Sequence, residues 1–298
     1  MKPAITLIEV GPRDGLQNES VFVPTEIKVK FIDLLSQTGL THIEVTSFVS
    51  PKAIPQLIDN QAVFNSIHRV KKIDYSALIP NEQGMQTALE CGVKHIAVFS
   101  AASEQFNQRN IHCSIQESIE RIKPIIAIAK QNAITVRGYI SCVLGCPYEG
   151  AISPKQVMHV IEQFQALGVD EISLGDTIGV GTPKQTKALI NAIRPTVVLS
   201  KVAMHFHDTY GQAIANICAS LDCNITRFDS SVAGLGGCPY ARGATGNVAT
   251  EDVLYLMHGL GLETGIDIYK MVQAGDMICK AIGRKNQSKA ANALLGNC

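Results

Sequence analysis

The sequence predicts a closed (β/α)8 barrel, a TIM barrel, with one additional C-terminal helix. Three observations carry that prediction. Eight β-rich runs alternate with eight segments of helical period. Reactive residue types gather at the ends of the strand candidates, where such a barrel places its chemistry. The first strand runs into Gly11-Pro12-Arg13-Asp14-Gly15, which lacks the glycine-rich phosphate fingerprint often seen after the first strand of an open doubly wound sheet.

In chain order the strand candidates are 5–10, 42–46, 74–79, 95–100, 135–142, 171–174, 202–206 and 227–232. The helix candidates between them are 26–37, 56–66, 82–90, 115–131, 154–166, 183–193, 212–221 and 250–259. Ser153-Pro154 and Thr182-Pro183 read as an N-cap followed by proline at the first helical position. Gly39, Gly92 and Gly168 are placed to end helices ahead of the next strand. A further helix, 266–282, and a polar tail follow the eighth repeat. No linker or composition shift divides the chain, so residues 1–298 are expected to form one catalytic domain, with an extra helical segment at about 264–298.

Bulk composition narrows the class. At 298 residues, 46% hydrophobic and 17% charged, the chain reads as a well-buried enzyme. Lys+Arg and Asp+Glu both number 26, which argues against a nucleic-acid partner. No apolar run reaches membrane-spanning length. The nine cysteines form no Cys-x-x-Cys pair, so reduced thiols are expected. With a strand starting within a few residues of Met1, a cytoplasmic location is expected.

Met204-His205-Phe206-His207-Asp208 is the most informative segment. Strand residues i and i+2 share a face, so both imidazoles converge at the end of the seventh strand. The other strands contribute Arg13 and Asp14 after the first, Glu44 inside the second, Arg137 and Cys142 on the fifth, Asp176 at the end of the sixth, and the loop Ser231–Asn247 with Cys238 after the eighth. Asp14, His205, His207 and Asn247 together offer two nitrogens and two oxygens. One or two substrate oxygens would complete an octahedron, which suits Mg²⁺ or Mn²⁺. Arg13 and Arg137 are the candidate substrate contacts. Taken alone, Cys238 reads as a small buried residue.

Five segments together resemble the 3-hydroxy-3-methylglutaryl-CoA lyases: 10–19, 136–150, 175–183, 204–211 and 231–240. The Arg-Asp-Gly and His-x-His pieces are shared across metal-dependent Claisen-type lyases and synthases, whereas the Ser231–Tyr240 loop is more specific to the lyases. The resemblance implies a barrel that cleaves the acyl-CoA substrate to acetoacetate and acetyl-CoA. It carries over Asp14, His205, His207 and Asn247 as metal ligands. It places Arg13, Glu44, Asp176 and Cys238 on catalytic or essential positions. In that scheme Arg13 stabilises a thioester enolate, Cys238 reprotonates it, and His205 or Asp14 takes the hydroxyl proton. Glu44 and Asp176 orient Arg13 or a metal-bound water, or transfer protons directly. A small-molecule acyl-CoA is thus the expected partner, and a homodimer is left open. A Claisen synthase, a related aldolase and a catalytically dead scaffold are the competing readings; turnover with and without metal separates them.

Overall fold

A computed structural model describes residues 4–50, 52–237 and 246–296. Eight parallel strands close into a barrel in sequence order: β1 Thr6–Glu9, β2 His42–Ser47, β3 Asp74–Leu78, β4 His95–Ala101, β5 Thr135–Ser141, β6 Glu171–Asp176, β7 Val202–Phe206 and β8 Arg227–Ser230. The seam is a four-residue register of β1 on β8, from Thr6 opposite Arg227 to Glu9 opposite Ser230. The expected TIM barrel is therefore observed.

The helices form the outer layer: α1 Thr25–Leu35, α2 Asn60–Ser66, α3 Glu82–Glu90, α4 Glu104–Ile111, α5 Ile115–Gln131, α6 Pro154–Leu167, α7 Pro183–Ile193, α8 Ala213–Asp222 and α9 Thr250–Gly259. Then come α10 Ile268–Ile282 and α11 Lys289–Leu295. Local chemistry explains the starts and stops. Ser153 and Gln156 form a reciprocal capping box under the proline that opens α6, and Thr182 and Gln185 repeat it at α7. Gly168 ends α6 in the left-handed conformation at φ 79°. The main core lies between sheet and helices and includes Phe31, Phe64, Phe164, Phe206 and Phe228, all fully buried. A small separate cluster of Leu78, Ala97 and Tyr139, with Phe99 against it, sits among the facing strands β3, β4 and β5.

Two elements escaped the sequence reading. Helix α4 is a short polar helix in the connection from β4 to α5, capped by Ser103. Helix α11 follows α10 and is capped by Ser288. One predicted helix, 56–66, is split into a 3₁₀ turn at Pro55–Leu57 and then α2. The eighth strand stops at Ser230, because Ser231–Gly234 turns away in a 3₁₀ segment.

Two buried carboxylates hold that turn. Glu9 Oε1 accepts from Gly11 N at 2.8 Å and Val232 N at 2.9 Å, while its Oε2 accepts from Thr250 Oγ1 at 2.7 Å. Both oxygens of Glu251 accept from Ala233 N, at 3.1 and 2.9 Å. Burial outweighs these bonds and pushes Glu9 up to about 7 and Glu251 up to about 8. The folded state thus holds these protons more tightly than the unfolded chain. The stability they contribute is complete below the unfolded value of 4.5 and is lost as pH rises through about 7 to 8. Wild-type Tm should accordingly fall from pH 5 to pH 8. In Glu251→Gln, which is neutral throughout, the fall should be shallower; an unchanged slope in a thermal melt series would show that Glu251 ionises normally.

Candidate active site

The segment after β1 winds into a single π turn, Gly11–Gly15, with Val10 O accepting from Asp14 N at 2.7 Å and Gly15 N at 3.2 Å. Single π turns of this kind are frequent at functional sites. The turn presents Arg13 and Asp14 side by side at the barrel mouth. It is packed so tightly on the β8 turn that a Cβ at Gly15 would lie 2.8 Å from Leu235 Cβ and 2.9 Å from Ser231 Oγ. At Gly11 a Cβ would lie 2.6 Å from Glu9 Oε1. Any side chain at either position would push Arg13 and Asp14 off their places.

Arg13 donates through Nε to Glu44 Oε1, and its Nη1 lies 2.6 Å from Asp14 Oδ1. Tyr139 Oη donates to the other oxygen of Glu44 at 2.7 Å. The Arg13 guanidinium also lies 5.5 Å from the centroid of the Tyr139 ring. Glu44 and Tyr139 together therefore fix the plane of Arg13. Among the described residues nothing accepts from Arg13 Nη2, and Arg13 lines the mouth cavity.

The strand pattern His205-x-His207 delivers its two rings as expected, with centroids 5.2 Å apart. One ligand atom each from Asp14, His205 and His207 lie within 4.8 Å of one another. Asn247 approaches this group from a segment wedged between the ends of β7 and β8. Val248 N donates to Phe206 O at 3.0 Å and Ser231 N to Val248 O at 3.0 Å, so Asn247 faces His207 in an antiparallel bridge. Asn247 Nδ2 donates to Asp14 Oδ2 at 2.8 Å.

Several observations fit this group to a divalent cation. His207 Nδ1 and Asn247 Oδ1 are buried and have no hydrogen-bond partner among the described residues; leaving such a group unsatisfied costs about 1–3 kcal/mol. One guanidinium, Arg13, faces two carboxylates, Asp14 and Glu44. Burial would raise the Asp14 carboxyl, but Arg13 and the two imidazoles outweigh it and hold the group at about 2. Burial and the neighbouring His205 lower His207 to about 4, which leaves it neutral and able to ligate near pH 7. Among the described residues the candidate donors are two imidazoles, a carboxylate and the unpartnered amide oxygen of Asn247.

The remaining expected site residues are Arg137, Asp176, Cys238 and Cys142. Arg137 is the third residue of β5, level with the start of β6. It lies below the mouth and is held by Asp229 at 2.6 Å and Glu171 at 3.0 Å. It is not among the residues that line the cavity, and it stands in an interior ion pair. Asp176 ends β6, fully buried, and accepts from Val180 N at 3.2 Å and Gly181 N at 2.8 Å. It holds its own loop, and no bond joins it to Arg13 among the described residues. Burial lifts its carboxyl to about 6 against those bonds. Cys238 lies outside the described residues. Cys142 follows β5 in the left-handed region at φ 62° and is buried.

Two supporting residues were not singled out from the sequence, Tyr139 and Asp229. Each stands two residues after an arginine in a strand, Arg137-x-Tyr139 and Arg227-x-Asp229. Polar residues at i and i+2 inside a barrel strand point to the interior, and that was the available signal.

The cavity at the mouth measures about 560 Å³. Arg13, Asp14, Gln17, Thr177, His205 and His207 line one side; the β2–β4 side carries Val49, Ile54, Leu78, Pro80, Phe99 and Ile111.

Comparison with known proteins agrees with this arrangement. The 3-hydroxy-3-isohexenylglutaryl-CoA/hydroxy-methylglutaryl-CoA lyase of Pseudomonas aeruginosa is 56% identical, over 98% of this chain and 97% of the relative. The cytoplasmic 3-hydroxy-3-methylglutaryl-CoA lyase of Rattus norvegicus is 53% identical, over 97% and 84%. A crystal structure of hydroxymethylglutaryl-CoA lyase from Pseudomonas aeruginosa superposes with a TM-score of 0.97 at 55% identity, covering 99% of this chain and 98% of that one. Residues 4–278 match the HMGL-like family, so the barrel and its Asp14–His205–His207 cluster stand on nearly full-length kinship, and the chain belongs to that family.

Proposed function

We propose that the protein cleaves 3-hydroxy-3-methylglutaryl-CoA to acetoacetate and acetyl-CoA, with residues 1–298 acting as one catalytic domain. The observation that carries this reading is the juxtaposition of Arg13 with the Asp14–His205–His207–Asn247 group. Relatives at 53–56% identity over nearly the whole chain bear lyase names. The cation read here is Mg²⁺ or Mn²⁺, the fit for nitrogen and oxygen donors completed by substrate oxygens. When bound, such an ion lowers the pKa of a substrate hydroxyl and anchors the substrate's oxygens.

The chain's own groups do the rest. Of the two candidate bases, Asp14 takes the hydroxyl proton, because His205 has Nδ1 against Asp229 and its other nitrogen turned to the cation group; the C–C bond then breaks with its electron pair moving onto the thioester. Arg13, fixed by Glu44 and Tyr139, offers Nη2 to the enolate oxygen. Cys238 is proposed, from the sequence resemblance, to return a proton to the enolate carbon. Asp176 is proposed to keep the β6 loop, with Thr177, on the cavity wall.

A second substrate of the same class is favoured by the apolar residues on the β2–β4 side of the cavity, Val49, Ile54, Leu78, Phe99 and Ile111, against which a longer 3-substituent could pack. The Pseudomonas relative is named for a 3-isohexenyl as well as a 3-methyl substrate. One experiment tests both readings. The purified protein should release acetoacetate from 3-hydroxy-3-methylglutaryl-CoA, stop in chelator and recover with Mg²⁺ or Mn²⁺; the isohexenyl homologue should also turn over. Condensation of acetyl-CoA with a 2-oxo acid in place of cleavage would replace the lyase reading by the synthase. Cleavage of the methyl substrate alone would remove the second reading.

A further inference from the structure

An ionic column runs through the barrel from the site towards its opposite face. His205 Nδ1 lies 3.2 Å from Asp229 Oδ2 on β8, which also accepts from Ser173 Oγ at 2.8 Å. Asp229 Oδ1 accepts from Arg137 Nη2 at 2.6 Å. Arg137 Nε is 3.0 Å from Glu171 Oε1, and Arg227 Nη2 is 2.6 Å from Glu171 Oε2. Arg227 in turn approaches His42 Nε2 at 3.4 Å. His42, Glu171 and Arg227 are partly exposed at the first residues of β2, β6 and β8. Asp229 is buried, and both its oxygens are occupied.

We infer that Asp229 is a positioning residue for the cation site, and that Arg137 and Glu171 hold it in register from below. The inference rests on the cation reading above. The physical argument is one of ring orientation. A histidine that ligates a metal through one nitrogen is aimed by whatever accepts a hydrogen bond from the other, and a carboxylate is the strongest such acceptor. The contact to Asp229 uses Nδ1 of His205, so Nε2 is the nitrogen directed at Asp14 and His207. The ring's plane is set by a group that touches neither cation nor substrate. A carboxylate that could swing would not define a plane. Ser173 and Arg137 remove that freedom, and Arg137 is itself held by Glu171. The mouth and the opposite face of the barrel are mechanically one unit along this line. The arrangement also gives Arg137, on β5, a role that acts through Asp229.

The test reads binding of Mn²⁺ alone, by the electron-paramagnetic-resonance signal of free Mn²⁺, on the full chain without substrate. Asp229→Asn keeps the shape and removes the charge. Its Mn²⁺ affinity should fall roughly 10- to 100-fold, the usual loss when a ligand's supporting partner is changed. Ser173→Ala, which removes one bond to Asp229, should weaken Mn²⁺ by roughly 2- to 10-fold and guards against an Asp229 variant that does not fold. Arg137→Lys should bind Mn²⁺ more tightly than Arg137→Gln. Wild-type affinity in a folded Asp229→Asn and in Ser173→Ala would overturn the inference, leaving Asp229 a structural ion pair. A wild-type chain that takes up no Mn²⁺ would overturn the cation reading itself.

Discussion

Arg13→Gln should lower kcat by at least roughly 10²–10³-fold, the loss expected when one preorganised oxyanion donor is removed. The argument rests on how the side chain is held. Glu44 takes Nε and Asp14 takes Nη1, and Tyr139 fixes Glu44 from the far side. The guanidinium is therefore rigid before substrate arrives and spends nothing on reorganising as charge develops. Glutamine is shorter and neutral, so it can neither reach the same point nor supply the charge. Mn²⁺ affinity should stay within a few-fold of wild type or rise slightly, because losing the cation beside Asp14 leaves that carboxylate more available. Steady-state kinetics alongside Mn²⁺ titration check this. An Arg13→Gln protein that loses Mn²⁺ as badly as a ligand variant would show that Arg13 serves the cation site and not the enolate.

The complementary result is expected at Asp14 and His207. Either Asp14→Ala or His207→Ala should weaken Mn²⁺ at least roughly 10²-fold, at or beyond the upper end of the loss for a residue that only supports a ligand. Asp14 carries the only carboxylate in the donor cluster and also receives the amide of Asn247. Its removal releases a second candidate ligand as well. His207 stays neutral because burial and His205 hold it at about 4, so it enters the site without a proton to displace at pH 7. Isothermal titration with Mn²⁺ decides the matter; variants that bind as wild type does would move the cation elsewhere.

Much of this was legible before any coordinates, for physical reasons that differ by residue. The alternation of strand and helix periods fixes the barrel, because eight repeats with short loops have few other ways to bury both faces of each strand. His205 and His207 were legible because a strand's period of two leaves no choice of face. Asp14 and Arg13 were legible from their place after β1, although the π turn that presents them has no signature in Gly-Pro-Arg-Asp-Gly. The ion pairs of Arg137 were not legible, because a strand's sequence does not reveal how deep each residue sits. Depth depends on the stagger of neighbouring strands, and here it sets Arg137 opposite Glu171. Asp229 was missed for the same reason, since its value lies in meeting residues 92 and 24 positions away in the chain. Asp176 was legible from its place at the end of the sixth strand and from the family resemblance; the loop it fastens, Thr177–Thr182, becomes apparent only once Val180 N and Gly181 N are seen to turn back on it.

The Glu9 carboxylate bears on the order in which the molecule is made. It joins the first turn of the chain to residues 223 and 241 positions later, Val232 and Thr250, and the candidate ligands Asp14 and Asn247 are separated by 233. A nascent chain on the ribosome carries Arg13, Asp14 and Glu44 long before their partners from β7 and β8 exist. Pairing elements so far apart in the chain is intrinsically slow. The cation site therefore comes into being only when the last repeat docks on the first. An ion that binds there stabilises the finished ring alone, by mass action, and so draws the final step of assembly forward.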